Sequence, residues 1–252
     1  MADQAVSNQA VSDQTGSSQT VLDQGFEALA KLGWGADLGP LKPIDEAIVQ
    51  SHGDSQARLA LEQRLAAVLS SDTSAAAKGY ACRQLMLMGT STSISALAPL
   101  LGSVELGHMA RYALERIPDS TVDQALRDAA GQLTGALKIG AINSLGARRD
   151  AGSAALLGTL LADSDAAVAR AAALALGSIS TEAAASALRD AQPTAADVKV
   201  AVTDAALSCA DALMAEGKKA QALAIFKSFA GEGQPKHVRL AATRGMLAAA
   251  RK

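Results

Sequence analysis

The segment that decides the fold is LLADSDAAVARAAALALGSI, residues 160–179. It contains a short turn rich in aspartate between two apolar stretches, and leucine and alanine recur in the second stretch at helical spacing. The short side chains of Asp163 and Asp165 can accept the free N–H groups of a helix's first turn, so they predict that a helix begins there. Because the connection is short, the two helices are expected to lie antiparallel.

Glycine or proline residues that close apolar runs recur along the chain at similar spacing, which indicates an internal repeat. Apolar runs close at Gly89, Pro118, Gly146 and Gly177, which are 29, 28 and 31 residues apart. A constant period of about 20–50 residues is the signature of stacked helical repeats. We therefore predict an all-α protein, an α-solenoid of stacked antiparallel helix pairs, in which the glycines end helices.

The apolar periodicity predicts where the individual helices lie. They are expected at 21–32, 44–50, 55–69, 75–88, 92–101, 106–117, 121–133, 136–146, 152–162, 165–178, 181–190, 194–215, 220–229 and 238–250. Before them, residues 1–20 form a low-complexity polar tail with isolated valines. This tail cannot bury enough apolar surface to offset the entropy of ordering, so we expect it to be disordered.

The segment 160–179 also resembles a known repeat family. An aspartate-rich turn followed by Val-Arg, Ala-Ala and Leu-Gly-x-Ile is similar to HEAT-like repeats, and more narrowly to the short type named after phycobilisome lyases. The matching positions are Asp163, Asp165, Val168, Ala171, Ala172, Leu176, Gly177 and Ile179. Residues 207–229 resemble a tetratricopeptide helix pair. The resemblance implies a scaffold that binds other macromolecules, and it does not imply one activity.

The helix predictions and the resemblance together divide the chain into four parts. These are a tail at 1–20, N-terminal capping helices at 21–54, HEAT-like repeats at 55–192, and tetratricopeptide-like or HEAT-like capping repeats at 193–252. Trp34, the only tryptophan, has two interpretations: a cap over the open end of the first repeat, which we favour, and a binding anchor. Whether the chain is one piece of a longer array is left open.

Composition limits the class of function. The formal net charge is −2, so the strong basic field typical of nucleic-acid-binding proteins is absent and no nucleic-acid partner is expected. No apolar run approaches the ~20 residues of a membrane span, and the N-terminus lacks a secretory signal, so we expect no membrane partner and a cytoplasmic location. Cys82 and Cys209 fit no metal or disulfide spacing, and we predict buried thiols.

A series of basic residues near the starts of successive second helices is the first candidate site. In HEAT-like repeats, the basic residue after the Val position pairs with a turn aspartate of the neighbouring layer. Arg111 and Arg170 come one residue after that register, which rotates them by about 100° around the helix. Two interpretations stay open: a structural ladder of ion pairs, which we favour, and a concave strip that grips an acidic partner or anion. The series comprises Arg83, Arg111, Lys138, Arg170 and Arg239, of which Lys138 and Arg239 hold the register.

The cluster around His108 is the second candidate site. His108, Arg111 and Tyr112 are three and four residues apart and therefore share one helix face, which Glu115 continues. Such a patch could bind a carboxylate or a phosphate. The alternative, which we favour, is a hydrogen-bond network between repeats.

The chain contains no combination of residues that predicts catalysis. HEAT-type di-iron hydroxylases carry His-Glu pairs, whereas His52, His108 and His237 precede Gly53, Met109 and Val238. No glycine-rich phosphate loop or Gly-x-Ser-x-Gly motif is present, and we expect no metal or cofactor.

We therefore predict a non-catalytic scaffold, not an enzyme, whose concave face holds a protein partner. That partner would be acidic if the basic series faces it. Two alternatives are an enzyme of the bilin-lyase type, suggested only by the family name, and a nucleic-acid-binding protein similar to HEAT-like DNA glycosylases. The partner's identity and the oligomeric state are not predicted.

Overall fold

The computed structural model describes residues 19–250, and every regular element within them is helical. This confirms the predicted all-α fold. The predicted disordered tail falls almost wholly outside the described residues, and its last two residues, Gln19 and Thr20, instead begin the first helix.

The described residues form fourteen α-helices, and their bounds agree with the predicted ones within two residues in all but one case. Helix α1 spans 19–30. The others are α2 (Lys42–Gln50), α3 (Ser55–Ser70), α4 (Ala75–Met88), α5 (Ile94–Leu97), α6 (Gly107–Arg116), α7 (Ser120–Gln132), α8 (Gly135–Ala147), α9 (Ala154–Leu160), α10 (Ala166–Ile179), α11 (Glu182–Asp190), α12 (Ala196–Ala215), α13 (Lys219–Phe229) and α14 (Lys236–Ala250).

The exception is the helix predicted at 92–101. There, α5 is a single turn between two 3₁₀ segments, Ser91–Ser93 and Ala98–Gly102. Pro99 is the second residue after α5, and a proline has no N–H to donate to the preceding helical turn, so an α-helix cannot continue through it undisturbed. The prediction of one continuous helix at this position is therefore wrong.

Contacts divide the chain into two compact units, the first ending at Asp119 and the second beginning at Ser120. In the first unit, α3 packs on α4 and on α5, and α4 packs on α6. In the second unit, α8, α10, α12 and α14 pack successively on one another, while α9 packs on α11 and α11 packs on α13. Each unit thus holds a row of first helices and a row of second helices, which are α4 and α6 in the first unit and α8, α10, α12 and α14 in the second.

Second helices approach each other closely where a glycine faces an alanine. A Cβ atom added to Gly146 would lie 2.9 Å from Ala175 Cα, and one added to Gly177 would lie 3.0 Å from Ala205 Cβ. Both glycines lie in the last turn of their helices, as predicted, and α8 and α10 continue past them by one and two residues. The recurring Leu-Gly pattern also marks the position where the next second helix packs against the backbone.

A buried carboxylate joins two segments of the first unit. The buried Glu62 carboxylate accepts hydrogen bonds from Thr90 N (2.6 Å) and Ser93 Oγ (2.6 Å), which joins α3 to the segment before α5.

Cys82 and Cys209 are buried free thiols, as predicted. Burial raises the pKa of Cys82 to about 12 and that of Cys209 to about 11.

Candidate functional site

The basic series predicted from the sequence does not form one uniform ladder. Lys138 and Arg239 are the fourth residues of α8 and α14, and Arg111 and Arg170 are the fifth residues of α6 and α10. This confirms the difference in register inferred from the sequence. Arg83 is the ninth residue of α4, so it lies in the middle of its helix and not near the start.

Lys138 has the partner that the structural interpretation requires. Its Nζ lies 3.0 Å from Oδ2 of Asp163, in the turn before α10, and both side chains are largely buried. Asp163 Oδ1 also accepts the backbone N–H of Asp165 at 2.9 Å. This backbone hydrogen bond and the bond from Lys138 hold the pKa of Asp163 below its usual value. Asp165 in turn caps α10 through Ala167 N, as predicted.

The cluster around His108 divides into an internal pair and an exposed pair. Arg111 Nη1 lies 2.9 Å from Glu115 Oε1 within α6, and its Cζ lies 4.5 Å from the centroid of the Tyr112 ring. His108 and Tyr112, one helical turn apart, are exposed to solvent. Tyr112 is 48% exposed although its ring is large and apolar. The charge of Arg111 is thus partly neutralised by its own helix, while the imidazole and the phenol remain accessible.

Helix α4 adds two exposed residues beside this pair. Arg83 is exposed and forms no ion pair with any residue in the range 19–250. Leu87, one turn later, is 66% exposed. A Cβ atom at Gly79 would lie 2.9 Å from Met109 Sδ of α6 and 3.9 Å from Arg83 Nη1, so the guanidinium of Arg83 lies next to α6. We call the surface formed by Arg83, Leu87, His108 and Tyr112 the α4–α6 face.

A related arrangement occurs on α10 in the second unit. Arg170 and Leu174 are one turn apart and both exposed, the leucine to 53%. Within the described part of the chain Arg170 forms no ion pair. An arginine without an ion pair, followed four residues later by an exposed leucine, thus occurs on one second helix of each unit.

Leu87 and Leu174 were not identified as site residues from the sequence. Both lie in apolar stretches that fit the core of a helical repeat, and only the packing direction of each helix shows that they are exposed.

The position of Trp34 also differs from the one expected from the sequence. It is 76% exposed, so the prediction that it caps the first repeat is wrong.

The second unit also contains a cavity of about 530 Å³ between the connections α11–α12 and α13–α14. This volume lies in the range of small-molecule sites. Its charged and titratable lining residues are Arg189, Lys199, Asp204 and His237. Arg189 is paired with the exposed Asp190 at 2.8 Å. None of the site residues predicted from the sequence lies in this cavity.

Two further features bear on the class of site. Among residues 19–250, no three His, Cys, Asp or Glu side chains are grouped so that they could hold a metal ion. Within the same range, no helix combines the length and apolar character needed to cross a membrane.

Comparison with known proteins supports the repeat class. Residues 132–207 match the sequence family described as HEAT repeats. The match covers α8–α11, the turns between them and much of α12, and it confirms the resemblance that was inferred from residues 160–179. The chain thus contains HEAT-like repeats. A search of curated proteins gives no match.

Two solved structures match the chain weakly. One is human deoxyhypusine hydroxylase in complex with glycerol, at 15% identity and a TM-score of 0.35, covering 94% of this chain and 98% of that one. The other is an engineered protein, at 19% identity and a TM-score of 0.37, covering 89% and 96%. Similarity at this level carries no information about activity.

Proposed function

We propose that the protein is a non-catalytic binding module and that its α4–α6 face holds a protein partner. One observation carries the proposal: Arg83, Leu87 and Tyr112 lie exposed on two neighbouring helices of one row. Tyrosine and arginine, together with tryptophan, are the residue types enriched among those that dominate the energy of protein interfaces. Because both helices are fixed by core packing, these side chains are presented from rigid positions, which suits specific recognition.

The chemistry of the face suggests the chemistry of its partner. Arg83 offers a guanidinium whose charge no described carboxylate neutralises, and guanidinium groups bind carboxylates in a two-pronged geometry. Arg58 lies close by, since its Nη2 donates to the carbonyl oxygen of Leu87 at 3.2 Å. The partner segment is therefore expected to carry an Asp or Glu next to apolar side chains that cover Leu87 and Tyr112.

The proposal that the role is non-catalytic rests on how these side chains are distributed. They are spread over the exposed surface of two helices. Such a surface suits a macromolecule better than a reacting small molecule. The predicted cytoplasmic location remains part of the same proposal.

Affinity capture with matched variants tests the α4–α6 face. The double variant Arg83→Glu/Tyr112→Ala reverses one charge and removes one ring on the face. The control Lys227→Glu/Leu59→Ala makes comparable changes at exposed positions elsewhere. Circular dichroism and thermal unfolding show that each bait is folded.

The expected result is at least one protein that wild type and control retain and that the face variant loses about tenfold or more. That protein is then purified for direct binding. If the face variant retains every protein as well as wild type does, the α4–α6 face is not the docking surface.

A further inference from the structure

The cavity of about 530 Å³ in the second unit lies where the second helices α12 and α14 begin. Its walls come from the end of α11, the start of α12, the end of α13 and the start of α14. The buried part of its lining is apolar and consists of Leu188, Val202, Phe229 and Val238. Apolar walls with a few polar groups at the margin are typical of sites for small molecules.

The glycine that lets one second helix pack closely against the next is absent from α12. Glycine is the twelfth residue of α8 and of α10, where Gly146 and Gly177 each face an alanine of the following second helix. The twelfth residue of α12 is Leu207. The only glycine of α14, Gly245, packs against Phe226 of α13. A leucine side chain excludes the close approach that the two glycines permit, which leaves space between α12 and α14.

Lys199 lines this cavity at the position that Lys138 occupies in α8. Both are the fourth residues of second helices. Lys138 pairs with Asp163, which lies in the turn before the next second helix. The turn before α14 contributes residues 233–235 to the cavity and no acidic side chain. Lys199 forms no ion pair with any residue between 19 and 250. The lysine position that faces a carboxylate in α8 thus faces an open cavity in α12.

The start of α12 offers further donors to an anion. Helix α10 is capped by the side chain of Asp165, whereas α12 follows Ala195, which has no side-chain acceptor. The free N–H groups of a first helical turn and the partial positive charge at a helix N-terminus both favour an anion. Ala196 of this turn lines the cavity, and the exposed Asp197 does not.

We propose that this cavity binds a small carboxylic acid with an apolar body. The carboxylate pairs with Lys199 at the start of α12, in the place that the turn carboxylate takes beside α8. The apolar body covers the four buried side chains of the lining. The proposal does not depend on the α4–α6 face, which lies in the other unit.

The remaining charges of the lining limit the ligand to one acidic group. Arg189 is already paired with Asp190. Asp204 lies five residues after Lys199, about 7.5 Å further along the helix axis, and it also lines the cavity. Its carboxylate repels a second acid at that end. The ligand is therefore expected to carry a single carboxylate near Lys199 and an uncharged far end.

The test compares three probes that share a chain of eight carbon atoms: octanoate, octanamide and suberate, which carry one, no and two carboxylates. Each is titrated into the full ¹⁵N-labelled chain and followed by NMR. Octanoate should shift the amide signals of residues 196–204 and 228–238 most. Its Kd is expected in the millimolar range, as for other probes of about ten heavy atoms. Octanamide and suberate should each bind about fivefold more weakly, since an exposed ion pair contributes roughly that factor.

Three variants locate the site. Lys199→Gln removes an exposed charge and should raise the Kd of octanoate about fivefold while leaving that of octanamide unchanged. Val200→Trp, at a position of the lining that is 61% exposed, should obstruct the cavity and weaken both probes. Lys227→Gln removes an exposed lysine outside the lining and should match wild type. Circular dichroism shows that each variant is folded.

Several results would overturn the proposal. Equal Kd values for octanoate and octanamide would show that no charge is recognised, and an unchanged octanoate Kd in Lys199→Gln would remove the assigned partner. Largest shifts outside the cavity, or binding that Val200→Trp leaves intact, would place the ligand elsewhere. Tighter binding of the peptide acetyl-Glu-Leu-Leu-amide than of octanoate would identify a peptide site instead of a small-molecule site.

Discussion

Lys138 Nζ and Asp163 Oδ2 lie 3.0 Å apart and join α8 to the turn that precedes α10. This ion pair connects one helix pair to the next, through a basic residue at the fourth position of a second helix. Arg239 occupies the same position in α14, yet no described carboxylate faces it. Within the described residues, the same position is therefore paired with a carboxylate in α8 and unpaired in α14.

Removing either member of the Lys138–Asp163 pair should lower stability. Both side chains are largely buried, so we expect Lys138→Met and Asp163→Asn each to lower the free energy of unfolding by about 1 kcal/mol, the upper end for partly exposed pairs. Urea unfolding of both single variants and the double variant gives the coupling energy. The Arg189–Asp190 pair, which is more exposed, is the control and should show less coupling. Equal coupling in the two pairs would contradict this account.

The contribution of Asp163 should depend on pH with a defined sign. Its pKa in the folded protein is lowered below the usual value of a carboxyl group, first by the hydrogen bond from Asp165 N and then by the one from Lys138. A lowered pKa means that the stabilisation is complete above the unfolded pKa and is lost as pH falls through the folded pKa. The stability difference between wild type and Asp163→Asn should therefore shrink in acid. A difference that stays constant from neutral pH into acid would refute the assignment.

Substituting the glycines that face alanines should destabilise the second unit. Gly146→Ala would place a Cβ atom 2.9 Å from Ala175 Cα, a backbone atom that cannot turn away. We expect a loss of about 1–3 kcal/mol in the free energy of unfolding, as for other overpacked positions. Gly131→Ala in α7 is the control, because nothing lies within 4 Å of its added Cβ. It should be neutral or stabilising by up to about 1 kcal/mol. Similar losses in both variants would mean that close packing is not the cause.

The buried acceptor Glu62 should be essential for the stability of the first unit. Glu62→Ala leaves Thr90 N and Ser93 Oγ without the acceptor they have now. Because an unsatisfied buried donor costs about 1–3 kcal/mol, we expect the free energy of unfolding to fall by roughly 3 kcal/mol in denaturant titration. Glu105→Ala, at an exposed position, should change it by less than about 0.5 kcal/mol. A small effect at Glu62 would show that the donors find other acceptors.

Both thiols should be inert in the native protein. Burial raises the pKa of Cys82 to about 12 and that of Cys209 to about 11, and only a thiolate reacts with disulfide reagents. Ellman's reagent at mildly alkaline pH should therefore react slowly with native protein and rapidly with two thiols per chain in denaturant. Fast reaction of either cysteine under native conditions would show that its site opens readily.

The helices could be predicted from the sequence because their signals are local. Apolar periodicity fixed the bounds of thirteen helices within two residues, and Asp165 marked the start of α10. Pro99 shows where this reasoning was incomplete. Its effect on α5 follows from the missing N–H, and a pattern of apolar residues alone does not predict that effect. The close contacts of Gly146 and Gly177 are likewise invisible in one sequence, because their partners lie about one repeat further along.

The exposed surfaces could be predicted only in part. His108 and Tyr112 were identified because polar residues stand out in an apolar chain. Leu87 and Leu174 were not, because a leucine at helical spacing is normally a core residue. Which side of a helix faces the core depends on packing between distant segments. The exposure of Trp34 was misjudged for the same reason.

The account's central claim is that the α4–α6 face binds a protein partner. The most direct measurement is calorimetric titration of the purified captured partner into wild type, Arg83→Glu/Tyr112→Ala and Lys227→Glu/Leu59→Ala. Two interface residues that each contribute about 2 kcal/mol would together raise Kd by roughly a hundredfold or more, and the control should match wild type. An unchanged Kd in a folded Arg83→Glu/Tyr112→Ala variant would contradict the claim.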